Sequence, residues 1–186
     1  MSSREAALFA VDGVNGAAVT ASARSALAGV VSAGRGGISM WDASGVFEEL
    51  AVAGEEAGTP SARTLLLLYA ADLTFRLRWE IRPALAEGRV VVAAPYVDTA
   101  IAFGRAAGIR SGWLTDLFGF APRPAESRYV DSAPARAVAE RAGFIEFGCE
   151  RLAGRSPALT RKRIVERARA HLKAAARRHA GRAPRS

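Results

Sequence analysis

The chain is poor in residues that staple or ligate. Cysteine occurs once, at Cys149, which excludes an intrachain disulfide and fits a reducing, cytoplasmic setting. Histidine occurs twice, at His171 and His179, both late in the chain. No Cys/His cluster has metal-ligand spacing, so no metal site is expected. Nor does either histidine offer an assignable base to Cys149, so a thiol nucleophile is not expected. Long hydrophobic runs are also missing. Thr64 to Ala71 and Val90 to Tyr96 are the longest, far below the ~20 residues that span a bilayer. Met1 to Ala7 lacks a basic start followed by an apolar block, so no signal peptide is expected. Internal repeats and long low-complexity tracts are absent.

What is present fits an α/β domain. Half of the 186 residues are hydrophobic and 8% are aromatic, enough for one substantial core. The net charge of +8 is uneven. Ser156 to Ser186 holds ten Lys/Arg and one acid, Glu166, and so carries about +9, which leaves the first 155 residues near −1. This divides the chain into an α/β domain over 1–155 and a basic helix and tail over 156–186. Ser156-Pro157 reads as an N-cap with proline at the first helical position. Ile164, Val165, Ala168, Leu172 and Ala175 recur at helical spacing, and Gly181 and Pro184 end the helix. A basic amphipathic helix of this kind suits an acidic protein or nucleic acid, or forms the last helix of the fold with a solvated face. No aromatic residue interleaves its basic ones, which counts against single-strand stacking.

The most informative stretch lies near the start. Ala7 to Val11 reads as a short buried strand, and a helix-like run from Thr20 to Leu27 follows. Between them Asp12-Gly13-Val14-Asn15-Gly16-Ala17-Ala18-Val19-Thr20 overlays the phosphate-loop pattern G-x-x-x-x-G-K-[ST]. Glycines there let backbone N–H groups converge on phosphates at a helix N-terminus, and the lysine reaches the β/γ oxygens. Gly13 and Thr20 match the pattern. Ala18 replaces its second glycine and Val19 its lysine.

Two later segments extend the match: Leu65 to Leu85, LLLLYAADLTFRLRWEIRPAL, and Val90 to Gly104, VVVAAPYVDTAIAFG. In order and spacing the three resemble thymidylate kinase, a P-loop nucleoside monophosphate kinase. Pro124 to Arg141 adds Pro124, Asp131, Pro134 and Arg141, so the resemblance covers about residues 5 to 141. It implies a three-layer αβα fold with a mostly parallel sheet. Within it Gly13, Asn15, Gly16 and Thr20 form a degenerate phosphate loop. Arg35, Tyr69, Asp72, Arg76, Tyr96, Asp98, Thr99 and Phe103 become candidates for a ligand pocket, with Tyr69 at the base-stacking aromatic and Asp98 a candidate base.

The departures fall on charged groups. Asn15 stands where the family has a carboxylate, Val19 where it has lysine and Leu73 where it has a thymine-holding arginine. Ala94-Pro95 stands in place of an Asp-Arg pair that serves metal and phosphate. Few residues remain after Arg141 for the family's arginine-bearing lid, so the lid is expected to be reduced or missing, with Arg151 or Arg155 as a remnant. No cofactor is therefore expected, and the residues speak against ATP with Mg²⁺. Two functions stand open: a silent kinase-like protein serving as a dimeric scaffold or accessory subunit, and a pocket repurposed for a non-nucleotide metabolite. Residual nucleotide kinase activity is a third. The resemblance also implies a homodimer through helix 61–86, where Leu66, Leu73, Leu77 and Ile81 share one face, and leaves room for a protein partner.

The expected order is strand 6–11, helix 18–29, a Gly-rich loop 33–39, helix 44–54, loop 55–60 and a long helix 61–86. Strand 89–94, helices 97–107 and 111–120, strand 126–131 and helix 134–142 follow. Residues 143–148 read as a final strand or a lid remnant, and helix 157–179 closes the chain.

Overall fold

Among the residues described in a computed structural model, four short strands form one parallel sheet in the order β2-β3-β1-β4. The structure describes residues 6–30, 36–42, 60–132, 143–152 and 161–181. The strands are β1 (Leu8–Gly13), β2 (Gly36–Met40), β3 (Val90–Ala94) and β4 (Glu126–Val130). Central β3, Val-Val-Val-Ala-Ala, is buried at every position, as a strand covered on both faces must be. In register, Phe9 lies opposite Val92 and Glu126, and Ile38 opposite Val92.

The helices are α1 (Gly16–Val30), α2 (Ala62–Arg76, continued through Leu77–Ile81 and Arg82–Ala86), α3 (Val97–Ala106), α4 (Ser111–Phe118), α5 (Phe144–Leu152) and α6 (Arg161–Ala180). Among the described residues α1 covers one face of the sheet, packing Val19, Ala23 and Leu27 against Val11, Val92 and Ala94. The other five helices share the larger core on the opposite face with Leu8, Ala10, Val91 and Ala93. The basic helix α6 belongs to that core through Ile164, Ala168 and Leu172. The α/β sandwich with a parallel sheet is the expected fold.

Helix α2 starts at a Ser61 cap whose hydroxyl accepts from the Thr64 amide at 3.1 Å. Its Leu77–Ile81 turn is wider, with the Arg82 amide reaching back five residues to the Leu77 carbonyl. Pro83 explains the wider turn: its ring would clash with the carbonyl four residues back, and it has no N–H to donate.

Three expectations need correction. The Gly-rich stretch 33–39 contributes β2 from Gly36 onward, because Ile38-Ser39-Met40 pairs along β3. Residues 143–148 are not a strand. Phe144, Ile145, Gly148, Cys149 and Leu152 bury one helical stripe of α5, a spacing that strand alternation cannot give. Finally, Leu66, Leu73, Leu77 and Ile81 lie inside the chain's own core, each at most 2% exposed, so they cannot form a dimer face. Helices 44–54 and 134–142 and the Ser156-Pro157 cap lie outside the described residues.

Asp12 joins β1 to α3. One of its oxygens accepts from the Tyr96 amide at 2.9 Å, the Thr99 amide at 2.9 Å and the Thr99 hydroxyl at 2.7 Å. The Thr99 hydroxyl in turn accepts from the Gly13 amide at 3.2 Å. Burial, reinforced by the Asp98 charge, raises the Asp12 carboxyl to about 6 despite those hydrogen bonds. A folded value above the unfolded one means that the folded state holds the proton longer. Stability from this group is therefore full below about pH 4 and falls as pH rises through about 6.

Two substitutions test this packing. Relative to Asp12→Asn, the wild type should lose on the order of 3 kcal/mol between about pH 4 and pH 7. Equal pH slopes in urea unfolding would contradict it. A Cβ at Gly148 would lie 2.6 Å from the buried Phe103 ring. Gly148→Ala should therefore cost about 1–3 kcal/mol by overpacking, read as a lower urea midpoint, and an unchanged midpoint would show that α5 has slack.

Candidate functional site

The chain between β1 and α1 does not form an open loop. Helix α1 begins at Gly16, two residues before the expected start, and Asn15 caps it. The Asn15 side-chain oxygen accepts from the Ala18 amide at 2.9 Å, and its carbonyl accepts from the Val19 amide at 3.0 Å. Ala18, unlike glycine, favours regular helix, and its amide is taken up by the Asn15 cap. Val19, at the lysine position, is 3% exposed and packs with Val11 and Ala23.

Glu146 fills the start of the helix. It projects from the first turn of α5 and receives the Gly16 amide and the Gly143 amide on one oxygen, each at 2.9 Å. Its other oxygen receives the Asn15 amide side chain at 2.9 Å. Gly143 permits this approach, since a Cβ there would stand 2.8 Å from the Gly16 nitrogen. Glu146, three residues after Gly143, caps its own helix as well. Sequence reasoning missed Glu146 because it left residues 143–148 as a final strand or a lid remnant and assigned the glutamate no role. The available signal was a glutamate three positions after a glycine, ahead of an apolar helical stripe.

Phe144, two residues earlier, packs among aromatics. Its ring centroid lies 4.4 Å from Tyr69, 5.2 Å from Phe103 and 5.5 Å from Trp41. Of the expected pocket residues, Tyr69, Arg76, Thr99 and Phe103 are at most 1% exposed. The Tyr69 hydroxyl donates toward the Pro95 and Tyr96 carbonyls at 3.0 and 2.9 Å. Arg76 pairs with Asp72 at 2.8 Å and turns toward the Pro95 carbonyl at 3.3 Å. Burial raises the Asp72 carboxyl above its ordinary value, and Arg76 opposes the shift. These side chains knit α2 to the turn after β3.

Two cavities flank that knot. One of about 180 Å³ has Gly13, Gly16, Thr20, Arg24, Trp41 and Phe144 in its lining. The other, about 130 Å³, takes in Tyr96 and Asp98 together with Phe118, Pro122 and His179. There Asp98 lies 2.9 Å from the His179 ring nitrogen, a pairing that the sequence did not foretell. The structure thus brings Gly13, Gly16 and Thr20 to one cavity and Tyr96 and Asp98 to the other. It leaves Tyr69, Asp72, Arg76, Thr99 and Phe103 off both walls. Arg35 and Arg155 lie outside the described residues, and Arg151 lies over the Phe147 ring at 4.8 Å. Cys149 is buried, which pushes its thiol up to about 12. Among the described residues no group of three His, Cys, Asp or Glu side chains is placed to hold a metal, and no helix is long and apolar enough to cross a membrane.

No family model matches the chain. It is 35% identical over 81 residues to the probable thymidylate kinase of Pyrobaculum calidifontis, covering 44% of this chain and 42% of that protein. It is 34% identical over 114 residues to the thymidylate kinase of Symbiobacterium thermophilum, covering 59% and 53%. The probable thymidylate kinase of Pyrococcus horikoshii is 41% identical over 58 residues, covering 31% and 28%. These alignments span about half or less of the curated relatives. The crystal structure of thymidylate kinase from Ehrlichia chaffeensis superposes with a TM-score of 0.67 over 96% of this chain and 86% of that one, at 14% identity, a likeness of fold. With sequence relatives and fold in agreement, the chain is similar to thymidylate kinases over about half of their length or less and shares their fold.

Proposed function

We propose that this thymidylate kinase-like protein does not transfer phosphate and serves as a dimeric scaffold or accessory subunit. Val19 carries the proposal: an apolar side chain, packed against the sheet, stands where a cation would meet phosphate. Phosphoryl transfer offers a protein little covalent chemistry, so catalysis rests on positioning and charge stabilisation. Loss of one preorganised donor costs ~100- to 1000-fold. Here the lysine is replaced, the Asp-Arg pair is Ala94-Pro95, and the Gly16 amide already holds a carboxylate. The residues present do not fit ATP with Mg²⁺. A second negative charge beside Glu146 would be repelled, and no carboxylate stands at position 94 or 95 for the metal.

A second surface supports assembly. On the outward side of α2, Leu67, Phe75 and Trp79 are 53%, 59% and 61% exposed. Their spacing aligns them along the helix, with Ala71 between. An apolar stripe of this kind marks a contact site, and a two-fold partner of the same sequence is the simplest occupant. The outward face of the basic helix α6 offers a further surface for an acidic protein or nucleic acid.

The cavity beside α1 favours the second function, a repurposed pocket. At about 180 Å³ it is smaller than the ~300–1,000 Å³ typical of drug-sized ligands. Its walls mix Trp41 and Phe144 with Thr20, Arg24 and Asp42, a lining for a small, largely uncharged metabolite.

Calorimetry with ATP and with dTMP, each with and without Mg²⁺, tests the silent-kinase reading. No heat is expected from millimolar Mg-ATP, and Mg-dependent ATP binding would overturn the proposal. Sedimentation tests the dimer. Wild type should sediment as a dimer and Phe75→Asp/Trp79→Asp as a folded monomer, whereas a monomeric wild type at tens of micromolar would remove the scaffold's symmetry.

A further inference from the structure

We infer that the cavity between α3, β4 and the end of α6 binds a small primary amine in its ammonium form, held by Asp12, Asp98 and Ser127. The inference goes beyond the silent-kinase reading and does not depend on it. It starts from a half-used carboxylate. Asp12 is 4% exposed. Its Oδ1 takes the Tyr96 amide, the Thr99 amide and the Thr99 hydroxyl, while among the described residues its Oδ2 takes no donor. Asp12 lines this 130 Å³ cavity and a smaller one beside it. A buried carboxylate oxygen without a donor is costly. Burial and the Asp98 charge push the carboxyl up to about 6, and the groups that oppose the shift, Thr99 and Tyr96, are not cations. The chain itself leaves this charge unmatched.

The walls define what would match it. Asp98 gives Oδ2 to the His179 ring at 2.9 Å and keeps Oδ1 without a donor among the described residues. Ser127 on β4 lines the same cavity, and its hydroxyl has no partner there. Three oxygens that can accept thus border one space, as many as an ammonium has N–H donors. Among the described residues no three His, Cys, Asp or Glu side chains are placed for a metal, so the donor set suits an N–H cation better than a metal ion. Val97, Phe118 and Pro122 make the rest of the wall apolar, which suits a short alkyl stem. At roughly 30 Å³ for each water-sized group, the cavity holds about four non-hydrogen atoms. Arg123 also borders it but is exposed, so solvent and salt screen its charge.

Calorimetry with propylammonium chloride tests this, with tetramethylammonium chloride, which carries the charge but no N–H, as the control. Propylammonium should bind saturably at millimolar concentration, and tetramethylammonium should not. Asp12→Asn and Asp98→Asn should each weaken propylammonium about tenfold or more, the scale of a lost charged hydrogen bond. A cation lowers the pKa of a carboxyl beside it. Binding near pH 6, where Asp12 titrates, should therefore release protons, read as a heat that changes with the ionisation enthalpy of the buffer. Amide resonances of Asp98 and Ser127 should shift during the titration. If Asp12→Asn does not fold, Asp98→Asn, changed at a partly exposed position, carries the comparison. The absence of saturable binding, equal binding of the two cations, or variants that bind as tightly as wild type overturns the inference. Mg-ATP binding by wild type would bear only on the silent-kinase reading.

Discussion

Carboxylates of the chain itself meet helix N-termini at the carboxyl end of this sheet. Asp12 takes the first amides of α3, and Glu146 takes those of α1 and α5. In parallel α/β folds this edge is where anionic ligands settle, because orphan amides and helix dipoles converge there. Here the convergence is answered from within. The two acids fasten β1, α1, α3 and α5 to one another, and the cavities, the aromatic knot around Phe144 and the placement of Tyr69 follow from that fastening.

The same arrangement explains why framework and chemistry parted ways. A parallel sheet needs apolar strands and helices with one apolar face, and β3, α2 and α3 supply them. Nothing in that requirement calls for lysine at position 19 or for Asp-Arg at 94 and 95. Valine and alanine there improve packing against the sheet, and they remove the positive charge that would otherwise balance phosphate. A carboxylate at Gly16 then becomes favourable, since no second anion competes for the amides.

Much of the fold was legible locally. Val90 to Ala94 announces a buried strand, Ser61 announces a cap, and the long α2 follows from its own periodicity. Three readings failed. Ile145-Glu146-Phe147 looks like strand alternation over three residues, and only the run to Leu152 reveals the helical stripe. Ile38 to Met40 sits behind glycines that read as a loop until β3 offers a partner. The leucines of α2 carried no sign of whether they faced a twin or the core, since burial depends on what packs above them. The candidate site was legible in part. Gly13, Gly16 and Thr20 do line a cavity, but Glu146 and His179 reach their sites across long stretches of chain, and no window of sequence contains that contact.

The terminal helix carries its own lesson. Asp131 binds both Arg169 and Lys173, at 2.6 and 2.9 Å, Glu150 lies 3.9 Å from Arg161, and Asp98 meets His179. Part of the helix's positive charge is thus paired with carboxylates of the domain, in ion pairs whose basic side chains stay 40–59% exposed. Lys162, Arg167, Arg177 and Arg178 remain at the surface. To a polyanion, then, this helix presents less than its formal charge: fewer counterions would be released on contact, and added salt would loosen these pairs along with any polyanion held outside them.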